Sequence, residues 1–551
     1  MSVPPNSVES PTERSPLLGS TAPRPDEETP SSPEAERQNE SSVPIPQDPS
    51  TGELLLVMSG TWLGSFLAAL DSTIIATLTA PISASFNSLS LLSWLASSYF
   101  IATAALQPLS GRLTDIFSRR WGLVAGNLAF GVGNLLCGLA DSEAVMIFGR
   151  VVAGCGGGSL NAISTFVGSD LVPLRRRGVW QGFANIMFGV GAGLGAVLGG
   201  WINDVSSWRA AFLMLVPFTA VSTILVAWRV RIPVKQSDKS ALKRVDFLGA
   251  FSLIVTLVLL LVGLNSGGNT VPWNHPLVYS SLVISALSLL AFIYIELHHA
   301  SEPVIPVRLM VDRTVISACF TNWFSTMAVF CILYYGPIYF QVKGLSTTAA
   351  GLRLAPLSIG VAVGSIVSGL IMRKTGRYYL LNCAIMALFA AACATVACFT
   401  LQSPLWLTLL SFHVAGIGYA GMLTVTLLAL ISAVDHEHQA VITSASYVFR
   451  STGSAIGITI ASAVFQNLLS RNLWAAIGWK ENATEVIARL RDNLQLIHTL
   501  SEDLRVPVQE AYMESLRGVF VTTLGFSIIA GLTSLLMKEH TLYSDLLRTG
   551  K

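Results

Sequence analysis

Asp71 lies inside a stretch, 54–82, that holds no other charged residue. A carboxylate surrounded by hydrocarbon is costly, and such residues are functional by default. It can exchange a proton, attract a cation, pair with an arginine, or cap a broken helix. Arg150 falls in a second apolar stretch, 145–168. Counting about 1.5 Å per residue puts Asp71 roughly 25 Å into its stretch and Arg150 roughly 9 Å into its own. If the two stretches run antiparallel across a layer of about 30 Å, both side chains reach the same depth. A pair that opens when Asp71 is protonated would couple protons to another event, while a pair that stays closed is structural. Other residues offer chemistry more weakly. His413 has the pKa range of a proton relay, although a lone histidine also serves as a plain hydrogen-bonding group. Arg450 suits a ligand carboxylate or the carbonyls of a neighbouring helix. Tyr335, Tyr339 and Gln341 line either a cavity or a packed helix face, and Arg353 reads as a packing contact.

The elements that must position these residues follow from composition. Of 551 residues, 52% are hydrophobic and 12% charged, against roughly 25% charged in soluble proteins. Fourteen stretches approach the roughly 20 apolar residues needed to cross a bilayer. They are 54–82, 91–110, 121–140, 145–168, 179–202, 209–229, 246–265, 277–296, 314–340, 346–372, 378–400, 404–432, 440–468 and 518–537. Residues 1–50 differ, being rich in Pro, Ser and Glu with acids in excess, and read as a disordered tail. With no signal peptide ahead of it, the first span is expected to direct insertion. Arg112, Arg119, Arg120, the run Arg175 to Arg177, the linker bases from Arg229 to Arg244, Arg308, Arg313, Arg373, Lys374 and Arg377 all fall in alternate loops. Positive charge marks the cytosolic side, so both termini are expected there.

The long loop 469–517 then lies on the far side. It contains the acceptor sequence Asn482-Ala483-Thr484, which predicts glycosylation of Asn482. Its stretch 484–504 is amphipathic and is expected on the membrane surface. A net charge of +2 gives no field for nucleic acid. The seven cysteines read as small packing residues. Asp435-His436-Glu437-His438 looks like a ligand set but sits in a short loop, where such charges are usually solvated, so no metal is expected. No phosphate-binding loop is present, which leaves an ion gradient as the energy source, with no cofactor and no enzymatic role.

The loops Gly111 to Arg120 and Gly369 to Arg377 each begin with Gly and end in a basic cluster, half a chain apart. Such duplication places a substrate site between two halves that alternate access. The first loop resembles the signature loop of the major facilitator superfamily, with Ser118 where glycine is usual. Leu70-Asp71-Ser72-Thr73 followed by Pro81, Arg150 with Gly154, the run Gly191 to Gly200, Tyr335 to Gln341, and Phe449 to Gly453 resemble motifs of its fourteen-span drug:proton antiporter branch. Ala196 stands where that branch usually has proline. Within the branch the chain is similar to fungal vacuolar basic amino-acid transporters of the Fnx and Vba type.

The resemblance implies an all-α polytopic membrane protein with the major facilitator fold. About fourteen transmembrane helices would form two six-helix halves plus an inserted pair. The expected divisions are a tail (1–50), a first half (51–229), a linker with two extra spans (230–312), a second half (313–540) and a short tail (541–551). The resemblance also implies a cytosolic gate at Gly111, Asp115, Arg119 and Arg120, and an antiporter glycine motif at Gly191, Gly195, Gly199 and Gly200. These residues read more simply as a topological anchor and as close helix packing. Glu13-Arg14-Ser15-Pro16-Leu17-Leu18 fits an acidic dileucine signal read by a sorting adaptor. The expectation is a monomeric proton antiporter in a vacuolar membrane, moving basic amino acids from the cytosol. The alternatives are a plasma-membrane exporter of drugs or toxic compounds and a non-transporting nutrient sensor.

Overall fold

The computed structural model describes residues 51–540, except 87, 89–90, 173, 231–245, 268–270, 301–302, 304–306, 435–438, 480–481 and 493. The acidic tail, its dileucine signal and the Asp435–His438 run lie outside the described residues. All regular structure among those described is helical, apart from one isolated bridge between Gly267 and Val271. Among the described residues, thirteen candidate spans are long and apolar enough to cross a membrane.

The first six long helices are α1 (Thr51–Phe86), α2 (Leu91–Phe117), α3 (Arg119–Gly138), α4 (Glu143–Leu171), α5 (Leu174–Val205) and α6 (Trp208–Arg229). Of the fourteen expected stretches, α2 alone falls outside the thirteen. At 27 residues it has the length, but Ser97, Ser98, Thr103 and Gln107 lower its hydropathy. All four are buried against other helices rather than turned to lipid. α3 packs on α4 and α6, α1 on α5, and α2 on α4.

The hairpin α7 (Phe247–Ser266) and α8 (Pro276–His298) is tied by Ser285 Oγ donating to Thr256 O at 2.8 Å. It touches the remainder through α7, which meets α2 and α14. Glu296, in the last turn of α8, is a second buried carboxylate.

The last group is α9 (Arg313–Val342), α10 (Thr347–Leu352), α11 (Ala355–Thr375), α12 (Tyr379–Ala397), α13 (Leu405–Ala433), α14 (Gln439–Ile477), α15 (Ala483–Asp492) and α16 (Glu502–Ser534). The stretch expected as one span at 346–372 is one candidate span, Thr347–Thr375, with a turn at Arg353 and Leu354 between α10 and α11. Pro356 has no N–H to donate and disfavours helical backbone in the residue before it, so the break precedes it. α9 packs on α16 and α14, and α11 on α13.

The expected loop at 469–517 is mostly helical. α14 runs on to Ile477 and α16 begins at Glu502. The apolar residues of its amphipathic stretch face the protein. Ile487, Leu490 and Ile497 are at most 3% exposed, packed inside the protein, where Tyr512 of α16 donates to Leu490 O. Burial in the protein's own core satisfies that face as well as lipid would.

Candidate functional site

α1 carries Asp71 about 30 Å along its length, so the carboxylate is far from either helix end. α4 brings Arg150 to it. Nη1 donates to Oδ1 at 3.0 Å and to Oδ2 at 2.8 Å, and both side chains are completely buried. Arg150 Nε donates to Leu95 O of α2 at 3.1 Å. Its guanidinium carbon lies 4.5 Å from the centre of the Tyr99 ring. Nη2 is also buried and finds no acceptor among the described residues. A buried donor left unpaired costs on the order of 1–3 kcal/mol, so this arginine is poised to take a further acceptor.

The glycine motif stands directly behind this pair. A Cβ at Gly195 of α5 would meet Leu70 O at 2.3 Å and Thr73 Oγ1 at 2.2 Å. At Gly191 it would meet Phe66 O at 2.5 Å, and at Gly199 Thr77 Oγ1 at 2.9 Å. These three glycines let the α5 backbone touch the turns of α1 on either side of Asp71. Gly200 faces the other way, where a Cβ would lie 2.6 Å from Thr347 O of α10. Close by, Asp204 Oδ2 accepts from Thr348 N at 2.9 Å. α5 therefore joins the first helix group to the last at the end of the bundle opposite Arg119.

At the arginine-rich end, Arg119 Nε donates to Asp170 Oδ2 at 3.0 Å and Nη1 to Thr114 Oγ1 at 2.7 Å. Asp170 pairs with this arginine, which the motif alone did not disclose. Arg120 lies over Trp121 at 5.6 Å. Gly111 and Asp115 fall in α2, with side chains outside the described residues. Ser118, standing where glycine is usual, has φ 133°. Glycine enters that region freely, whereas a side chain there is strained.

The remaining candidates are not brought to the Asp71–Arg150 pair. His413 Nδ1 lies 3.0 Å from Pro356 O, fastening α13 to the first turn of α11. Tyr335 meets Phe465 of α14 edge-on. Tyr339 donates to Thr400 O at 2.9 Å and packs on Phe399 and Phe520. Both tyrosines thus lie within the last helix group. Gln341 closes the last turn of α9 and is 9% exposed. Beyond it, burial and the charge of Arg353 push the Lys343 ammonium below the usual lysine pKa. Arg450 lies over its own-helix neighbour Tyr447 at 5.3 Å, with Nε buried and unpartnered among the described residues. Its neighbour Ser451 donates to Gln107 Oε1 of α2 at 2.9 Å. Asn482 is exposed at the start of α15, its carbonyl accepting from Val486 N at 3.1 Å. Two functional candidates escaped the sequence, Tyr99 and Tyr334. The Tyr334 hydroxyl donates to Ser72 O at 3.1 Å. The only hint was that both are polar aromatics in apolar runs, which is true of many packing residues.

Comparison with known proteins agrees with this architecture. The multidrug resistance protein fnx1 of Schizosaccharomyces pombe is 38% identical over 499 residues, covering 90% of this chain and 94% of that one. Vacuolar basic amino acid transporter 1 of Saccharomyces cerevisiae is 29% identical over 560 residues, covering 94% and 97%. A bacterial homologue of the human lysosomal transporter Spinster, inward-facing and unoccupied, superposes with a TM-score of 0.61 at 15% identity, covering 89% of this chain and 97% of that one. With residues 61–458 matching its family model, this multi-pass membrane protein belongs to the Major Facilitator Superfamily.

Proposed function

We propose that the protein is a proton-coupled antiporter of a vacuolar membrane, moving lysine, arginine and histidine from cytosol to lumen as protons leave. The observation that carries this reading is the completely buried Asp71–Arg150 pair, bound at 2.8 Å. A buried pair opens only when one charge is neutralised or replaced, because an uncompensated buried charge costs several kcal/mol. A proton on Asp71 does the first. A zwitterionic, cationic solute does the second, its ammonium taking Asp71 and its carboxylate taking the unpaired Nη2 of Arg150. Proton and substrate then compete for one site, which is the simplest physics of exchange. Helices α1–α6 and α9–α16 are the two halves that rock around it, and α7–α8 are the inserted pair. Arg119, held by Asp170, closes the cytosolic end. Asn482 carries a glycan on the lumenal side, and Glu13, Leu17 and Leu18 direct sorting. Support for the vacuole and for basic amino acids comes from the similarity to the Saccharomyces transporter.

A second reading, export of toxic compounds at the plasma membrane, is favoured by the similarity to fnx1. The unpaired Arg150 donors tell between the two, since a lipophilic cation has no carboxylate to offer them. The test is ATP-energised uptake of labelled lysine, arginine and histidine by vacuolar vesicles, with and without the protein and a protonophore. Protein-dependent uptake that the protonophore abolishes is expected. Absence of any such uptake, with the protein present in that membrane, overturns the amino-acid reading in favour of export.

A further inference from the structure

We infer that Tyr334 is the lock through which the closed Asp71–Arg150 pair holds α9 to α1 while neither proton nor substrate is bound. This rests on the coupling role proposed for the pair.

Two physical routes connect the pair to Tyr334, and together they close a ring. The shorter runs along α1. The Tyr334 hydroxyl donates to Ser72 O at 3.1 Å, the carbonyl next to Asp71. The longer runs through aromatic rings. Arg150 lies over Tyr99 at 4.5 Å. Tyr99 meets Phe100 edge-on at 5.3 Å, and Phe100 meets Phe330 of α9 edge-on at 5.0 Å. Phe330 stacks on Tyr334, one turn further along α9, with centroids 6.4 Å apart. Rings in a close-packed interior move as stiff bodies. When Arg150 leaves Asp71 it must also shift over Tyr99, and that displacement reaches α9.

Tyr334 bonds the carbonyl next to Asp71 itself, which another contact between the helix groups, Ser451 to Gln107, does not. A buried tyrosine hydroxyl needs an acceptor, and its ring carries it past its own helix backbone to a neighbour, as Tyr339 reaches Thr400 within the last helix group. Tyr334 instead crosses between helix groups, although α9 packs chiefly on α14 and α16. Among the described residues, the titratable groups that face the pair are Tyr99 on α2, Cys137 on α3 and Tyr334 on α9. Of these, Tyr334 alone belongs to the last helix group. A contact that is either made or broken is the kind of element that gives a transporter two discrete states.

Tyr334→Phe tests this, because it keeps the ring and the stack and removes only the bridge. Full-length protein in proteoliposomes is assayed for lysine–lysine exchange without a pH gradient and for gradient-driven accumulation. Exchange within about twofold of wild type is expected. The accumulation ratio should fall about threefold to tenfold, the range of one net hydrogen bond, because the unloaded carrier now slips. Equal loss of both activities, or no loss of either, overturns the lock.

A second arm needs no substrate. Spin labels on exposed native Cys398 and on Val205→Cys, with Cys155 and Cys383 replaced by Ser, report the separation of α12 and α5 at the end opposite Arg119. Wild type should change its distance distribution between about pH 7.5 and about pH 5, because a proton on Asp71 opens the pair. The Tyr334→Phe protein should show the acid distribution already at the higher pH. A variant that follows wild type at both pH values overturns the lock. Wild type that moves no basic amino acid tells against the substrate reading alone, and this arm then decides the lock.

Discussion

Two arginine–aspartate bridges of nearly equal length occupy different environments. Arg150–Asp71 is 2.8 Å long with both side chains fully buried, whereas Arg119–Asp170 is 3.0 Å long with side chains 10% and 26% exposed. Water reaches Asp170, so the second gives up its acid more cheaply than the first, although Arg119 itself is buried. Nothing replaces the partners of the first except a proton or a ligand charge. Equal geometry thus yields a contact that helix movement can break in one case. In the other it yields a contact whose breaking is tied to charge. That contrast is the basis for proposing Arg119–Asp170 as a gate and Asp71–Arg150 as the coupling element.

The largest expected effect comes from Asp71→Asn. It leaves Arg150 charged and unpaired, a loss of about 3–5 kcal/mol, so protein abundance should fall and gradient-driven uptake should reach background. The double variant Asp71→Asn, Arg150→Gln removes both charges and should recover abundance, measured by immunoblot of the membranes, without recovering uptake. Full gradient-driven uptake by the single variant would break the comparison, since the buried bridge would then be structural like any other.

Gly195→Ala comes next. Its Cβ would meet the backbone carbonyl of Leu70 at 2.3 Å, and a carbonyl cannot rotate away as a side chain can. α5 must withdraw from α1, at a cost of about 1–3 kcal/mol. If the glycines serve packing alone, thermal stability in detergent and uptake should fall together. If they serve exchange, uptake per folded molecule falls further. Asp170→Asn should do less, about 0.2–1 kcal/mol at a partly exposed bridge. The expected result is a fewfold drop in maximal uptake with the KM for substrate unchanged. A change in KM instead would move Asp170 from gate to binding site.

How much of this was legible beforehand depends on the kind of signal. The helices were legible because an unbroken run of roughly 20 apolar residues fits little besides a helix crossing the bilayer. Asp71 and Arg150 stood out because charge inside such runs is rare, and matching depths followed from helix rise. Tyr334 was not legible although its neighbour Tyr335 was singled out. Successive residues on a helix point about 100° apart, and an all-apolar helix gives no polar face to say which side meets which neighbour. The structure turns Tyr335 toward Phe465 and Tyr334 toward Ser72. For a related reason nothing in its run indicated that one ring nitrogen of His413 lies against a carbonyl of α11. Likewise, an amphipathic pattern at 484–504 specifies that an apolar face is covered, not whether lipid or protein covers it.

The smallest effect sharpens the contrast from the gate side. Ser118 directly precedes Arg119 and holds φ 133°, a conformation that costs a non-glycine residue on the order of 1–3 kcal/mol. Its side chain returns little, since Oγ accepts from Arg120 N at a long 3.3 Å, and replacing a serine cap by glycine costs only a few tenths of a kcal/mol. Ser118→Gly should therefore stabilise the protein by about 1 kcal/mol, read as a higher melting temperature in detergent. Ser118→Ala keeps the strain and loses the cap, so it should melt lower than wild type. If the strain is confined to the turn, uptake by the glycine variant stays within about twofold of wild type. If the strained turn instead holds Arg119 against Asp170, relaxing it weakens the gate, and the glycine variant should lose uptake in the same proportion as Asp170→Asn. A glycine variant that melts lower than wild type would show that the turn is not strained, and the arginine-rich end would owe its stability to the bridge.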